Sequence, residues 1–168
     1  MPAMKYGRIA HLYDFYVRSD FDKQFFLDEA RKHPGKILEL MSGTGRVSLP
    51  LIQAGFDLTC VDSSREMLEV LGQKLQAKNL SATLVEMDVC ELSLDETFDF
   101  IFIPFHSFAE IISTSQQRQA LAKIREHLSD RGRFICTLHD PNTRLKTVDS
   151  RLKLLDRFPI EEGGQLFL

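Results

Sequence analysis

The fold is decided by residues 38–46, which read LELMSGTGR. An apolar, strand-like run carries an acid at Glu39 and leads into a turn that contains Gly43 and Gly45. Glycine permits positive φ angles and lets the backbone come close to a ligand. A helix that follows such a turn directs free N–H groups and a partial positive charge back at it. The stretch therefore predicts a strand-to-helix turn, which is either a ligand cradle or only a tight turn.

Strand-like and helix-like segments alternate on both sides of this turn. The predicted strands are 36–40, 57–61, 82–87, 98–103 and 133–138. The predicted helices are 10–33, 46–54, 63–78 and 115–128, the third of them opened by a capping box of Ser63 and Glu66. Such alternation is typical of parallel βαβ units in a doubly wound α/β sheet.

The last part of the chain has a different pattern. Residues 152–158 and 165–168 are strand-like and flank a turn of two glutamates and two glycines, which predicts an antiparallel hairpin. The expected fold is thus a mostly parallel seven-stranded sheet in a single domain, residues 1–168, with a helical lid over about residues 1–33. The chain stops inside the apolar segment LFL, so we expect a truncated last strand and a natural chain that continues.

Composition argues against several classes of partner. The net charge of −3 disfavours nucleic acid, whose phosphates usually require a basic face. No apolar run approaches the ~20 residues of a membrane span. The three cysteines show no zinc-binding spacing, so we expect no metal. Their sparse, odd number fits a reducing compartment, and the amino terminus lacks the apolar core of a signal peptide, so we expect a cytoplasmic protein.

Three acids stand at the ends of three consecutive predicted strands: Glu39, Asp62 and Asp88. Ligands of open α/β sheets bind beyond the carboxyl ends of the strands. There, Asp62 could accept hydrogen bonds from ribose hydroxyls and Asp88 from an adenine amino group, although each acid alone also fits a helix cap. The third glycine of a dinucleotide fingerprint is absent, and an acid before the turn suits an ammonium group better than phosphates.

At this point the sequence resembles a known family. Residues 38–68, LELMSGTGRVSLPLIQAGFDLTCVDSSREML, are similar to motif I and its successor in class I S-adenosylmethionine-dependent methyltransferases. MDVCEL at 87–92 resembles the next motif, and FDFIFIPFHSF at 98–108 resembles the fourth strand and its loop. The resemblance covers roughly residues 10–168. It departs from the family's Glu-x-Gly-x-Gly-x-Gly pattern at one place, where Met41 replaces the first glycine.

The resemblance implies S-adenosylmethionine as the cofactor. The residues that match the family's motifs would be distributed as follows: Glu39, Met41, Ser42, Gly43 and Gly45 at the methionine part, Asp62, Ser63 and Met67 at the ribose, Asp88 and Val89 at the adenine, Pro104 beside the sulfonium, and Tyr13 over the cofactor carboxylate. For Tyr13 the alternative is an ordinary aromatic residue on a helix.

The implied reaction is in-line transfer of a methyl group to a small-molecule acceptor, chiefly through placement of the acceptor against the cofactor. His106, after the fourth strand, is the candidate base, and His139, after the fifth, is a weaker one. The alternative for His106 is a loop histidine that only packs. Two other functions stay open: a non-catalytic S-adenosylmethionine-binding module and, less favoured, an NAD-dependent oxidoreductase.

Overall fold

A computed structural model describes residues 6–140, 142, 157–159 and 165–167 of the chain. Its helices are α1 (Ala10–Tyr16), α2 (Lys23–Lys32), α3 (Ser48–Gln53), α4 (Arg65–Ala77) and α5 (Thr114–His127). Its strands are β1 (Ile37–Leu40), β2 (Leu58–Asp62), β3 (Thr83–Glu86), β4 (Phe98–Ile103), β5 (Leu128–Cys136), β6 (Arg157–Pro159) and β7 (Gln165–Phe167). Short 3-10 helices cover Tyr6–Ile9, Val89–Glu91 and Ser107–Glu110.

The first five strands form one parallel sheet in the order β3-β2-β1-β4-β5. This confirms the α/β class and the alternation of strands and helices that the sequence predicts. The order reverses between β1 and β4, so the carboxyl ends of these two strands border the crevice in which ligands of such sheets bind.

The carboxyl-terminal strands are the part of the predicted fold that differs. β6 and β7 pair antiparallel with each other, with Arg157 opposite Phe167, in a two-stranded sheet that is separate from the five-stranded one in the described chain. The turn predicted between them, and most of the strand predicted at 152–158, lie outside the described residues. The seven-stranded sheet and the complete hairpin therefore stay predictions.

The core has one apolar cluster on each face of the parallel sheet. Alternation along β1 divides them, because Ile37 belongs to one cluster and Leu38 and Leu40 to the other. Phe100 and Phe102 of β4 are fully buried and stacked, with ring centroids 5.1 Å apart. Burying such a side chain contributes about 1.5–3 kcal/mol to folding, so β1 and β4 form a rigid base for the loops at their carboxyl ends.

The amino-terminal region is helical, as predicted, but it is interrupted between α1 and α2. Phe21, Phe25, Phe26 and Ala30 stand at helical spacing, which predicts one apolar face for this region. Phe26 and Ala30 are fully buried, but Phe21 and Phe25 are 68% and 46% exposed. Phe21 is exposed because it precedes α2, which begins only at Lys23. α1 packs against α4, and α2 against α3.

Two further predictions of detail were wrong. The N-cap of α4 is Ser64, whose hydroxyl accepts a hydrogen bond from the N–H of Met67, so the expected cap at Ser63 is displaced by one residue. On α5 the spacing predicts Leu121, Ile124 and Leu128 on the inward face, but Leu121 is 44% exposed, and Ala120 and Ile124 are the buried residues. Pro50 lies in the first turn of α3, where its missing N–H removes no intrahelical bond. In the described ranges no helix is long and apolar enough to cross a membrane.

Candidate functional site

The turn after β1 is built from residues with left-handed backbone conformations. Met41, Gly43 and Gly45 have φ angles of 56°, 55° and 82°. The turn is fixed to its surroundings by backbone hydrogen bonds, of Ser42 N–H to the carbonyl of Val61 at 3.0 Å and of Gly45 N–H to the carbonyl of Ser42 at 3.0 Å. The sequence-predicted glycine turn is therefore a rigid loop that connects the ends of β1 and β2.

The two glycines of this turn serve different purposes. A Cβ atom on Gly45 would lie 2.2 Å from Cδ1 of Leu71, so the absence of a side chain there lets α4 pack against the turn. A Cβ atom on Gly43 would meet nothing within 4 Å. Gly43 thus faces open space at the carboxyl edge of the sheet, which is the property expected of a ligand cradle.

Met41 keeps the backbone conformation of the glycine that it replaces. A positive φ angle costs a residue with a side chain on the order of 1 kcal/mol or more. The side chain of Met41 is half-buried and packs against the apolar cluster that contains Leu38 and Leu40. The departure from the family pattern therefore changes a packing contact while the course of the turn is retained.

Glu39 is the most deeply buried acid of the site, only 1% exposed. The hydroxyl of Ser48, in the first turn of α3, donates a hydrogen bond to its Oε2 atom at 2.5 Å. Burial is the main reason that the pKa of Glu39 rises from 4.5 to about 8, and the bond from Ser48 and the charge of Arg46 act in the opposite direction. A positively charged ligand beside this carboxyl group would stabilise its ionised form.

Asp62, at the end of β2, is tied to the backbone on both sides. Its Oδ2 atom accepts from the N–H of Gly43 at 2.7 Å, and its Oδ1 atom accepts from the N–H of Ser64 at 2.8 Å. Burial raises the pKa of Asp62, and these bonds, with one from the N–H of Ser63, oppose the rise. A carboxylate has about four acceptor sites, so Asp62 can brace the turn and still accept from a ligand hydroxyl.

The remaining predicted cofactor residues lie along the same edge. Asp88 is exposed and caps the short helix after β3 through a 2.8 Å bond from the N–H of Cys90. Val89 and Met67 are buried and Ser63 is exposed. Pro104 is buried at the end of β4, where its carbonyl accepts from the N–H of Ser107 at 3.2 Å. Asp88 and Pro104 follow β3 and β4, and Ser63 follows β2, as the sequence predicts, whereas Met67 lies in the first turn of α4.

Tyr13 lies on α1. Its ring meets that of Tyr16 edge-on, with centroids 5.3 Å apart. Burial, followed by the neighbouring Tyr16 and Glu110, raises the pKa of Tyr13 to about 12, so that its hydroxyl stays protonated and can donate a hydrogen bond near neutral pH.

The site also contains an unused buried group. The Oγ atom of Ser42 is buried and has no hydrogen-bond partner among the residues that the structure describes. Buried polar atoms in folded proteins are almost always bonded, so this hydroxyl indicates a ligand or water position. Together with the open space at Gly43 and the buried acid Glu39, it fits the methionine part of S-adenosylmethionine, which carries an ammonium and a carboxylate group.

A second set of groups lies at the ends of β4 and β5. Phe105 and His106 both have positive φ angles, 54° and 63°. The N–H of His106 donates to the hydroxyl of Thr137 at 3.2 Å, and its ring stacks on that of His139 with centroids 3.6 Å apart. The two candidate bases of the sequence analysis are therefore neighbours in space.

The sequence did not indicate the residues that tie the amino-terminal segment to the glycine turn. The guanidinium of Arg46 makes two contacts with the carboxylate of Asp22, at 2.5 and 2.7 Å, and lies 4.5 Å from the ring centroid of Phe105. Thr44 donates to Asp14 at 2.7 Å, and Lys74 forms an ion pair with Asp14. The only available signal was the position of Thr44 and Arg46 inside the turn, because their partners are distant in sequence.

The chain is similar in sequence to known proteins. The model of a family described as methyltransferase domain matches residues 37–132. Glycine/sarcosine N-methyltransferase from Aphanothece halophytica is 31% identical over 127 residues, which are 74% of this chain and 48% of that protein. Cypemycin N-terminal methyltransferase from Streptomyces sp is 31% identical over 105 residues, 62% of this chain and 42% of that protein.

A solved structure agrees with these relatives. The CcbJ methyltransferase from Streptomyces caelestis superposes with a TM-score of 0.72 at 27% identity, over 80% of this chain and 58% of that one. The chain spans about half the length of the curated relatives that it matches. Since the family match extends from β1 into β5 and covers more than half of the residues, this chain belongs to the class I S-adenosylmethionine-dependent methyltransferases.

Proposed function

We propose that this protein transfers a methyl group from S-adenosylmethionine to the nitrogen atom of a small-molecule acceptor. The observation that carries the proposal is the pairing of a buried acid, Glu39, with open space at Gly43, in a chain that belongs to this family. The nitrogen acceptor is supported by two relatives, which are named as N-methyltransferases. When bound, S-adenosylmethionine supplies an activated methyl group on a positively charged sulfur.

The residues of the chain bind and orient the two reactants. Glu39 attracts the ammonium group, and the Oγ atom of Ser42 and the backbone of Gly43 line the space beside it. Asp62 accepts from a ribose hydroxyl through the acceptor site that the turn leaves free, and Asp88, with the backbone of Val89, holds the adenine. Well-oriented reactants at short distance account for a large part of the rate of such transfers.

The lid completes the site in this proposal. Tyr13 of α1 donates its hydroxyl hydrogen toward the cofactor carboxylate. The contacts of Arg46 with Asp22 and of Thr44 with Asp14 hold α1 and the segment before α2 against the glycine turn, and thereby exclude water. We propose that residues 1–168 act as one methyltransferase domain with this lid, and that β6 and β7 add to the parallel sheet as its sixth and seventh strands.

Methyl transfer can be tested directly. The protein is incubated with methyl-labelled S-adenosylmethionine and a panel of primary and secondary amines, with alcohols and phenols of matched size as the comparison. Label should pass to one or more amines and S-adenosylhomocysteine should accumulate. Cofactor binding without transfer to any amine would favour the non-catalytic binding module, and transfer only to the oxygen compounds would contradict the nitrogen acceptor.

A further inference from the structure

The guanidinium of Arg46 joins three segments that are distant in the sequence. Arg46 belongs to the glycine turn after β1, and its Nη1 atom donates to the carbonyl of Ser19 at 3.0 Å. Its two terminal nitrogens also contact both carboxylate oxygens of Asp22, at 2.5 and 2.7 Å. Its central carbon lies 4.5 Å from the ring centroid of Phe105, which follows β4. Arg46 therefore connects the segment before α2, residues 19–22, with the two loops that border the crevice.

The ion pair that holds Arg46 is buried. The side chains of Arg46 and Asp22 are 11% and 5% exposed. Pairing with both oxygens of a carboxylate fixes the plane of a guanidinium as well as its position. Solvent ions screen a buried pair much less than an exposed one. The face that Arg46 presents to Phe105 is therefore set by Asp22, which lies directly before α2.

The loop on the other side of the crevice needs support of this kind. Phe105 and His106 are successive residues with side chains, and both have positive φ angles, 54° and 63°. Such conformations are disfavoured and persist only where the surrounding structure holds them. Here the N–H of His106 donates to the hydroxyl of Thr137 at 3.2 Å, and Arg46 covers the ring of Phe105. A cation is attracted to an aromatic face most strongly where water is excluded.

Arg46 also lies close to the acid and the tyrosine of the candidate site. Burial raises the pKa of Glu39 and of Tyr13, and the charge of Arg46 acts against the rise at both residues. An ion pair that only anchored α2 would need neither this position nor the contact with Phe105. Because one guanidinium makes both contacts, a change in its pairing with Asp22 alters the support of Phe105.

We propose that Arg46 is a positioning residue that orders the loop after β4 through Phe105 when Asp22 holds its guanidinium. The segment before α2 and the loop are then ordered as one unit. The inference rests on the proposed function where it places S-adenosylmethionine at the glycine turn: a cofactor that favours the docked segment also orders the loop across the crevice. Such coupling is reciprocal, so a change at either end should be measurable at the other.

The first test follows amide hydrogen exchange by NMR in the ligand-free full chain. The N–H of Lys23, bonded to the carbonyl of Asp20, reports on the segment before α2, and the N–H of His106 reports on the loop. Asp22→Asn should speed the exchange of His106 by about three- to thirtyfold, because the guanidinium is no longer fixed over Phe105. Phe105→Leu should in turn speed the exchange of Lys23 by a similar factor.

Two comparisons separate this coupling from a general loss of stability. Asp28→Asn removes an exposed ion pair between α2 residues Asp28 and Arg31, and it should leave both exchange rates unchanged. Added to Phe105→Leu, the substitution Asp22→Asn should have no further effect on His106, because the contact through which it acts is already absent.

The second test adds the ligand. Saturating S-adenosylhomocysteine should slow the exchange of Lys23 and His106 in the wild type by at least about fivefold. The control is the N–H of Leu80, bonded to the carbonyl of Leu75 after the end of α4, whose exchange should not change. In Phe105→Leu the ligand should still slow Lys23 but no longer His106. Direct contact between ligand and loop would instead protect His106 in both proteins.

The outcomes separate this inference from the proposed function. Phe105→Leu leaves the buried ion pair in place, so it decides the inference even if Asp22→Asn does not fold. An unchanged rate of His106 in a folded Asp22→Asn, an unchanged rate of Lys23 in Phe105→Leu, or equal ligand protection of His106 in Phe105→Leu and the wild type would overturn it. If calorimetry detects no binding of S-adenosylhomocysteine by the wild type, the proposed function fails, while the ligand-free exchange still decides the coupling.

Discussion

Glu39→Gln should make the protein more stable and its cofactor site weaker. The substitution keeps the size of the side chain and its bond with Ser48 but removes the ability to ionise. In the folded protein the pKa of Glu39 is about 8, compared with an ordinary value of 4.5. The folded state therefore holds a proton that the unfolded state releases between these two values, so the stability of the wild type falls as the pH rises through this window.

The size of the effect follows from the pKa shift. One pKa unit corresponds to ~1.36 kcal/mol, so the wild type should lose roughly 2 kcal/mol of unfolding free energy between about pH 6 and about pH 8 through this residue. Glu39→Gln has no such loss. The assay is urea denaturation of the ligand-free wild type and of the variant at both pH values. The difference in unfolding free energy between the two proteins is compared at the two pH values, because the contributions of the other titrating groups cancel in that difference.

Ligand binding should respond in the opposite direction. An ammonium ligand requires the ionised carboxylate, so S-adenosylmethionine should bind the wild type more tightly as the pH rises from about 6 to about 8, with release of a proton. Hydrogen bonds to charged groups contribute about 1.5–3 kcal/mol, so Glu39→Gln should bind roughly ten- to a hundredfold more weakly at about pH 8. Calorimetry in buffers of different ionisation enthalpy measures both the affinity and the number of protons released on binding. If the wild type and Glu39→Gln bind with equal affinity and the wild type releases no proton, the ionised carboxylate of Glu39 does not bind the ammonium group.

Three other substitutions separate binding from folding at the glycine turn. Gly43→Ala should lose about 1 kcal/mol of stability through its positive φ angle and should bind S-adenosylhomocysteine at least about tenfold more weakly. Gly55 has a φ of 88° and equally open space, so Gly55→Ala should show only the loss of stability. Urea denaturation measures the stability of both variants and calorimetry measures their binding. Gly45→Ala should lose roughly 1–3 kcal/mol more than these because of its contact with Leu71, and a melting temperature equal to that of Gly55→Ala would contradict this. Met41→Gly should bind S-adenosylhomocysteine within about threefold of the wild-type affinity, because the backbone already has the glycine conformation. Binding that is weaker by about tenfold or more would show that the methionine side chain takes part in binding.

The features that the sequence predicted well depend on short stretches of chain. β4 was predicted with its observed bounds, because a short, nearly continuous apolar run is typical of a strand that is covered on both faces. The positions of Glu39, Asp62 and Asp88 at one edge followed from the parallel arrangement of β1, β2 and β3. Gly43 and Gly45 were assigned to the turn, but their different purposes depend on where Leu71 of α4 packs.

The features that the sequence could not supply depend on contacts between distant segments. Arg46 and Asp22 are separated by α2 and β1, and nothing local to either residue indicates the other. The exposure of Phe25 depends on which face of α2 meets α3. The cap at Ser64 instead of Ser63 reflects a choice between adjacent residues of the same type, which the sequence pattern does not distinguish.

The central claim is that the turn at Gly43 binds S-adenosylmethionine through its buried acid. Its most direct measurement is calorimetric titration of the wild-type chain with S-adenosylhomocysteine, at about pH 8 where about half of Glu39 is ionised, beside an identical titration with NAD. The account predicts saturable binding of the sulfur nucleoside at one site per chain and no comparable heat with NAD. Saturable binding of NAD without any response to S-adenosylhomocysteine would contradict it.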